Sequence, residues 1–243
     1  MLEYDYGFFY WGEPVKTPIG EIEFKKVKDY PKVAKHLAVL KGTDKISILK
    51  LLMKSGNVEF ARLIEPEPFL DTMMILEGTA LYTQYVSALE FFLGKNLVDR
   101  NNPIVYTDAD LYDYLELIYH MNASSFPKRL TGNPEIDRFI EYERRLQQKM
   151  SGNITLESLT SSVAVHMGIP IEQLKDIMTI YQLHVDFYRI GQFRAFDVTT
   201  MYRMMDNKVE LVEWNKHVDI LESLSKKEKI LEEASREGRA KFT

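Results

Sequence analysis

From Pro31 to Ile190 apolar residues return every three or four positions, and nearly every run is cut by glycine, asparagine or proline. That spacing follows the 3.6-residue turn of an α-helix and predicts a body made of helices packed on their apolar stripes. Pro31 opens a first helix on which Val33, Leu37 and Leu40 share a face before Gly42. Asp44 caps a second, carrying Ile48, Leu51 and Leu52 and ending near Gly56-Asn57. After Pro66 and Pro68, Leu70 to Leu93 is apolar on most faces, the signature of one helix central to the fold, closed by Gly94. Thr107 or Asp108 caps the next, with Leu111, Leu115 and Ile118 on one stripe and Asn122 at its end.

Beyond it, Pro134 to Met150 reads as an amphipathic helix with Ile136, Phe139, Ile140 and Leu146 inward. Thr155 caps a helix to Met167, Gly168 breaks it, and Pro170 starts a longer helix reaching about Ile190.

Two stretches depart from this period. Between Gly7 and Val27 the cluster Phe8-Phe9-Tyr10-Trp11 is followed by turn formers (Gly12, Pro14, Pro18, Gly20) and by Ile22, Phe24 and Val27 in near alternation with Glu and Lys. Alternation of this kind predicts a small antiparallel β-hairpin with one wet face, its aromatic side resting on the helices or on another subunit. A second small hairpin is expected near residues 201–214, where Met201 to Met205 and Val209 to Trp214 flank Asp206-Asn207; a helix through Met205 is the competing reading. Glu222 to Lys241 is charge-rich and reads as a solvated helix. The expected fold is therefore mainly α within the α+β class: a bundle-like helical body with an N-terminal hairpin. The segment 123–133, rich in Ser, Pro and Gly, is the expected division between an N-terminal half (1–122) and a C-terminal half (134–243).

With 45% apolar and 28% charged residues the chain has the means to bury a core. A net charge of -5 offers no broad attraction for nucleic acid or anionic lipid. Zero cysteines exclude disulfides, thiolate metal ligands and a cysteine nucleophile, and fit a reducing compartment. The start, Met1-Leu2-Glu3-Tyr4-Asp5-Tyr6, lacks the basic residues of a signal peptide, and no apolar run approaches the roughly 18 to 20 residues a spanning helix needs. The expected location is cytoplasm, including that of a host cell, or a virion.

The motifs of chemistry are absent or better explained otherwise. An EF-hand loop starting at Asp108 needs Gly at its sixth position and Glu at its twelfth, where Asp113 and Tyr119 stand; acids in a first helical turn complement the helix dipole instead. His36, His120, His166, His184 and His217 show no zinc-ligand spacing. No phosphate loop, dinucleotide-binding glycine motif or nucleophile elbow occurs. Neither catalysis, a cofactor nor a metal is expected.

Leu159 to Leu174 has the outline of a helix-turn-helix, with Ala164 and Gly168 at the small and turn positions. A recognition helix should expose basic or amide side chains, whereas Ile171-Glu172-Gln173-Leu174-Lys175-Asp176-Ile177 is weakly acidic. A packed helical hairpin is the simpler reading. The surplus of aromatics at Phe8, Phe9, Tyr10 and Trp11 is the candidate partner interface, since aromatic anchors carry much of the energy of protein interfaces.

The segment Ile177-Met178-Thr179-Ile180-Tyr181-Gln182-Leu183, followed by Phe187-Tyr188-Arg189-Ile190 and later Trp214, resembles the C-terminal half of tail-assembly or baseplate-associated proteins of large tailed bacteriophages. The stretch beginning Asn133-Pro134-Glu135-Ile136 fits the same outline. The resemblance implies other protein subunits as partners, in a homo-oligomer or among virion components, with no cofactor and no catalytic residues; no membrane partner is expected from the apolar run lengths. The expected function is structural or assembly work in a phage tail or baseplate. A helix-turn-helix regulator over residues 155–190 is the alternative, and an enzyme with an unrecognised site the third reading.

Overall fold

A computed structural model describes residues 6–99, 105, 107–124, 126, 133, 138–140, 142 and 155–215. Nine α-helices lie among them, with one two-stranded sheet, matching the mainly α expectation. The helix expected over Pro134 to Met150 and the solvated helix at Glu222 to Lys241 fall almost wholly outside the described residues.

Helices α1 (Tyr30–Gly42) and α2 (Lys45–Lys54) form where the apolar spacing places them, and the Asp44 carboxylate accepts from Ser47 N at 2.9 Å as the expected cap. A short α3 (Val58–Ile64) follows, unforeseen because its apolar residues span barely two turns. The single helix expected from Leu70 to Leu93 is two. Helix α4 (Phe69–Ile75) stops, Gly78 takes φ 84°, and Thr79 caps α5 (Ala80–Leu93) by accepting from Tyr82 N. Gly-Thr here is a stop and a start within an otherwise continuous apolar run, and the backbone obeys the local signal.

Helix α6 (Asp108–Met121) begins at a reciprocal box in which Thr107 and Asp110 satisfy each other's backbone amides. Leu111, Leu115 and Ile118 are buried on the expected stripe. Asp108 does something the sequence did not disclose: its two carboxylate oxygens accept from Phe69 N and Leu70 N, both at 2.8 Å, capping α4 from a distance. Pro68 precedes α4 and has no side chain able to do this.

The C-terminal body consists of α7 (Leu156–Met167), α8 (Ile171–Ile177) and α9 (Ile180–Met205). Gly168 ends α7 in the left-handed region at φ 68°, as its sequence context required. The long helix expected from Pro170 to Ile190 is broken at Met178, which is extended; Thr179 and Gln182 then form a second capping box and start α9. Helix α9 runs through Met205, so the second hairpin expected at 201–214 does not form: Asp206 ends the helix, and the chain turns back until Trp214 stacks on Phe193 with centroids 4.9 Å apart.

The N-terminal hairpin is real but smaller than expected. It joins β1 (Val15–Thr17) to β2 (Gly20–Ile22) in antiparallel register, Val15 opposite Ile22. Its aromatic prelude is not strand but a 3-10 turn, Tyr6–Trp11. A main core unites β2, α1, α2, α4, α5 and α6 with the first turns of α9 through Ile180, Tyr181 and Val185. A smaller one gathers Val27, Leu159, Val163, Leu174, Leu183 and Ile190. The N-terminal segment ties the two together: Ile180 N donates to Lys25 O (3.0 Å), Val27 N to Met178 O (3.1 Å), and Lys28 pairs with Asp176 at 3.0 Å.

Candidate protein-binding surface

The 3-10 turn separates neighbouring aromatics into opposite roles. Phe9 is 2% exposed and sits edge-on to Phe24 (5.2 Å) and Tyr181 (5.5 Å), which plugs the turn into the main core. Of the four residues expected at a partner interface, Phe9 faces inward, which leaves Phe8, Tyr10 and Trp11 exposed. Phe8 (64% exposed) and Trp11 (67%) project outward, and Tyr10 packs edge-on against Trp11 at 6.1 Å. A 3-10 turn eclipses side chains every third position, so Phe8 and Trp11 share the outer side while Phe9 faces inward.

The start of α9 holds this turn in place. Gln182 Nε2 donates to Tyr10 O at 2.8 Å, and Tyr10 Oη donates to the Asp186 carboxylate at 3.3 Å, one helical turn further on. Gly12 ends the turn at φ +69°, and a Cβ there would lie 3.1 Å from Gln182 Nε2 and 3.3 Å from Thr179 Cγ2. Both the conformation and the close approach call for glycine at that position.

Asp186 is the electrostatic centre of the surface. Partial burial raises its carboxyl above the usual carboxylate value, opposed by the Tyr10 hydrogen bond and by the positive charges of Arg189 and His166. The same environment raises the Tyr10 phenol, through burial first and the neighbouring carboxylate second. Arg189 in turn donates from Nη1 to Trp214 O at 3.2 Å, which fastens the returning segment to the same face of α9. Gln182, Asp186 and Arg189 were not singled out in the sequence as a site. Their i, i+4 and i+7 spacing on one helical face was the available signal.

Beside this face lies an open cleft of about 890 Å³ between α7 and α9, lined mostly by apolar side chains, with His166 and Arg194 among its polar ones. Two of the other histidines are held by their packing. His36 stacks on Phe91 at 4.4 Å, and His184 Nδ1 lies 2.9 Å from Ile180 O; burial pushes both imidazoles below their ordinary value. His217 lies outside the described residues. Asp108 and Asp110 are engaged as helix caps, and among the described residues no three His, Asp or Glu side chains gather into a group that could hold a metal ion. Among the described residues, likewise, no helix is long and apolar enough to cross a membrane.

Where the sequence has a helix-turn-helix outline, Val163, Ala164 and Leu174 are buried together around the Gly168 turn. Outward from α8 face Glu172, Gln173, Lys175 and Asp176, the last already paired with Lys28.

Residues 4–126 match the model of the YomV N-terminal domain, and residues 146–219 that of the YomV second domain. The chain belongs to the YomV family. It is similar to the SPbeta prophage-derived uncharacterized protein YomV of Bacillus subtilis strain 168, with 28% identity over 221 residues and 88% of each chain covered. No solved structure matches it. A phage-derived origin is thus supported for this chain, as the resemblance implied.

Proposed function

We propose that the chain is a non-enzymatic structural or assembly component of a phage, acting through contacts with other protein subunits, in the tail or baseplate. The observation that carries this reading is the fixed presentation of Phe8 and Trp11, two large aromatics held in solvent by the burial of Phe9 between them. An exposed aromatic on a rigid mount loses little entropy when covered, and such residues dominate the energy of protein interfaces. The phage setting rests on the prophage-derived relative, and the tail setting on the resemblance of residues 177–190 and Trp214. Deleting the gene from an inducible phage tests it. The expected result is full heads and absent or defective tails by electron microscopy, with infectivity restored by the chain supplied in trans. Normal infectious particles from the deletion would remove the reading.

The second reading, a DNA-binding regulator, is favoured by one specific observation, the buried Val163-Ala164-Leu174 contact around Gly168. The charge on α8 opposes it. Retention on duplex DNA that falls steeply between low and physiological salt would reinstate it, because phosphate contacts release counterions.

A further inference from the structure

Beyond the cleft, the second half of α9 carries exposed apolar side chains that the described residues leave open. Val198 is 44% exposed, Met201 63% and Met205 86%. They are not scattered. Phe187, Gly191, Arg194, Val198, Met201 and Met205 follow one another at spacings of four, three, four, three and four residues, which is the a/d seam of a heptad repeat. The first half of this seam forms the floor of the cleft beside α7, where a Cβ on Gly191 would meet nothing within 4 Å. The back of the helix is engaged separately: Trp214 covers Phe193 and Phe196, and Val212 N donates to Thr199 Oγ1 at 3.3 Å. One continuous stripe is therefore hollow at one end and protruding at the other.

We infer that this stripe is a self-association surface on which α9 packs antiparallel against α9 of a second copy, about a two-fold axis near residue 196. In that register Phe187 lies opposite the second copy's Met205, Gly191 opposite its Met201, and Arg194 opposite its Val198, so each large exposed methionine meets a hollow or a flat ring. Charge selects the same arrangement. Arg194 and Asp197 are exposed and in no ion pair among the described residues. The two-fold brings each Arg194 beside the second copy's Asp197, twice over. Parallel pairing would instead set Arg194 against Arg194 and Gly191 against Gly191, a repulsion and a void. Tyr202 (59% exposed) and Met204 (84%) add apolar surface beside the stripe, and large apolar side chains gathered in the open mark interaction sites. This inference rests on the protein-contact reading but uses a different face from the aromatic turn, so either can fail alone.

The test uses sedimentation equilibrium of the full chain across a range of concentrations. The wild type should show a monomer–dimer equilibrium. Arg194→Asp alone and Asp197→Arg alone should each weaken it about tenfold or more, as expected for juxtaposed like charges, while the double exchange restores it. Orientation is read from single cysteines in this cysteine-free chain. Ala195→Cys should form a disulfide with its own symmetry mate, since the two sites are about 3 Å apart along the axis, whereas Met205→Cys should not, at about 27 Å. A wild type that stays monomeric at every concentration would overturn the inference. So would single charge variants that dimerise as well as the wild type, or cross-linking through Met205→Cys in place of Ala195→Cys.

Discussion

Gln182 and Tyr10, 172 positions apart in the chain, are joined by a 2.8 Å hydrogen bond from the Gln182 amide to the Tyr10 carbonyl. The same Gln182 accepts from Thr179 N through Oε1 at 2.9 Å, closing the capping box that starts α9. One side chain thus begins the longest described helix and fastens the exposed aromatic turn to it. Replacing Gln182 with Ala removes both functions. The expected loss is about 1 to 2 kcal/mol, the usual cost of a cap together with one hydrogen bond. Chemical denaturation followed by circular dichroism measures it, and a loss indistinguishable from zero would mean the turn is held by Phe9 alone.

Phe9 and Trp11 should respond oppositely to truncation. Phe9→Ala empties a site between Phe24 and Tyr181 and should cost about 3 to 5 kcal/mol. Trp11→Ser removes an exposed ring and should lie within roughly 0.5 kcal/mol of the wild type. Unfolding midpoints of the two variants give the comparison directly.

Asp108 should matter to stability through α4 rather than through the helix it begins. Asp108→Ala strands the amides of Phe69 and Leu70 and should cost about 1 to 2 kcal/mol. Amide exchange at Phe69 and Leu70 should accelerate more than at residues 109–111, which keep the Thr107–Asp110 box. Faster exchange confined to the start of α6 would contradict the assignment.

Asp186 gives the surface a pH dependence whose sign follows from its raised carboxyl value. Folding favours its protonated form. This residue therefore contributes most stability below the unfolded carboxylate value of 3.8, and its contribution falls as pH rises from there through the folded value. Asp186→Asn keeps an acceptor for Tyr10 and removes the titration. Relative to the wild type, the variant should gain stability between pH 3.5 and pH 7, measured by urea midpoints at each pH. A wild type that gains on the variant as pH rises would reverse the sign.

Helix ends were legible where a local cap coincides with the end of an apolar run. Asp44, Thr107, Gly94, Thr155 and Gly168 stand at their expected ends, because caps and left-handed turns are decided within four residues. The misreadings came from runs whose apolar stripe continues across a break. Gly78-Thr79 and Thr179-x-x-Gln182 carried the stop and start, but Leu70 to Leu93 and Pro170 to Ile190 read as unbroken by periodicity alone. The inward turn of Phe9 depends on Phe24 and Tyr181, which no local pattern brings together. Asp108 reaching α4 and Asp186 receiving Tyr10 are long-range bonds of the same kind.

On the proposed function, Phe8 and Trp11 are held outward for contact with other polypeptide. The most direct measurement is the infectious titre of a phage carrying the double change Phe8→Ser and Trp11→Ser, alongside the unfolding midpoint of the purified variant. The expected result is a midpoint near that of the wild type and a titre reduced about a hundredfold or more, as when two interface anchors are lost. An unchanged titre from a normally folded variant would contradict it.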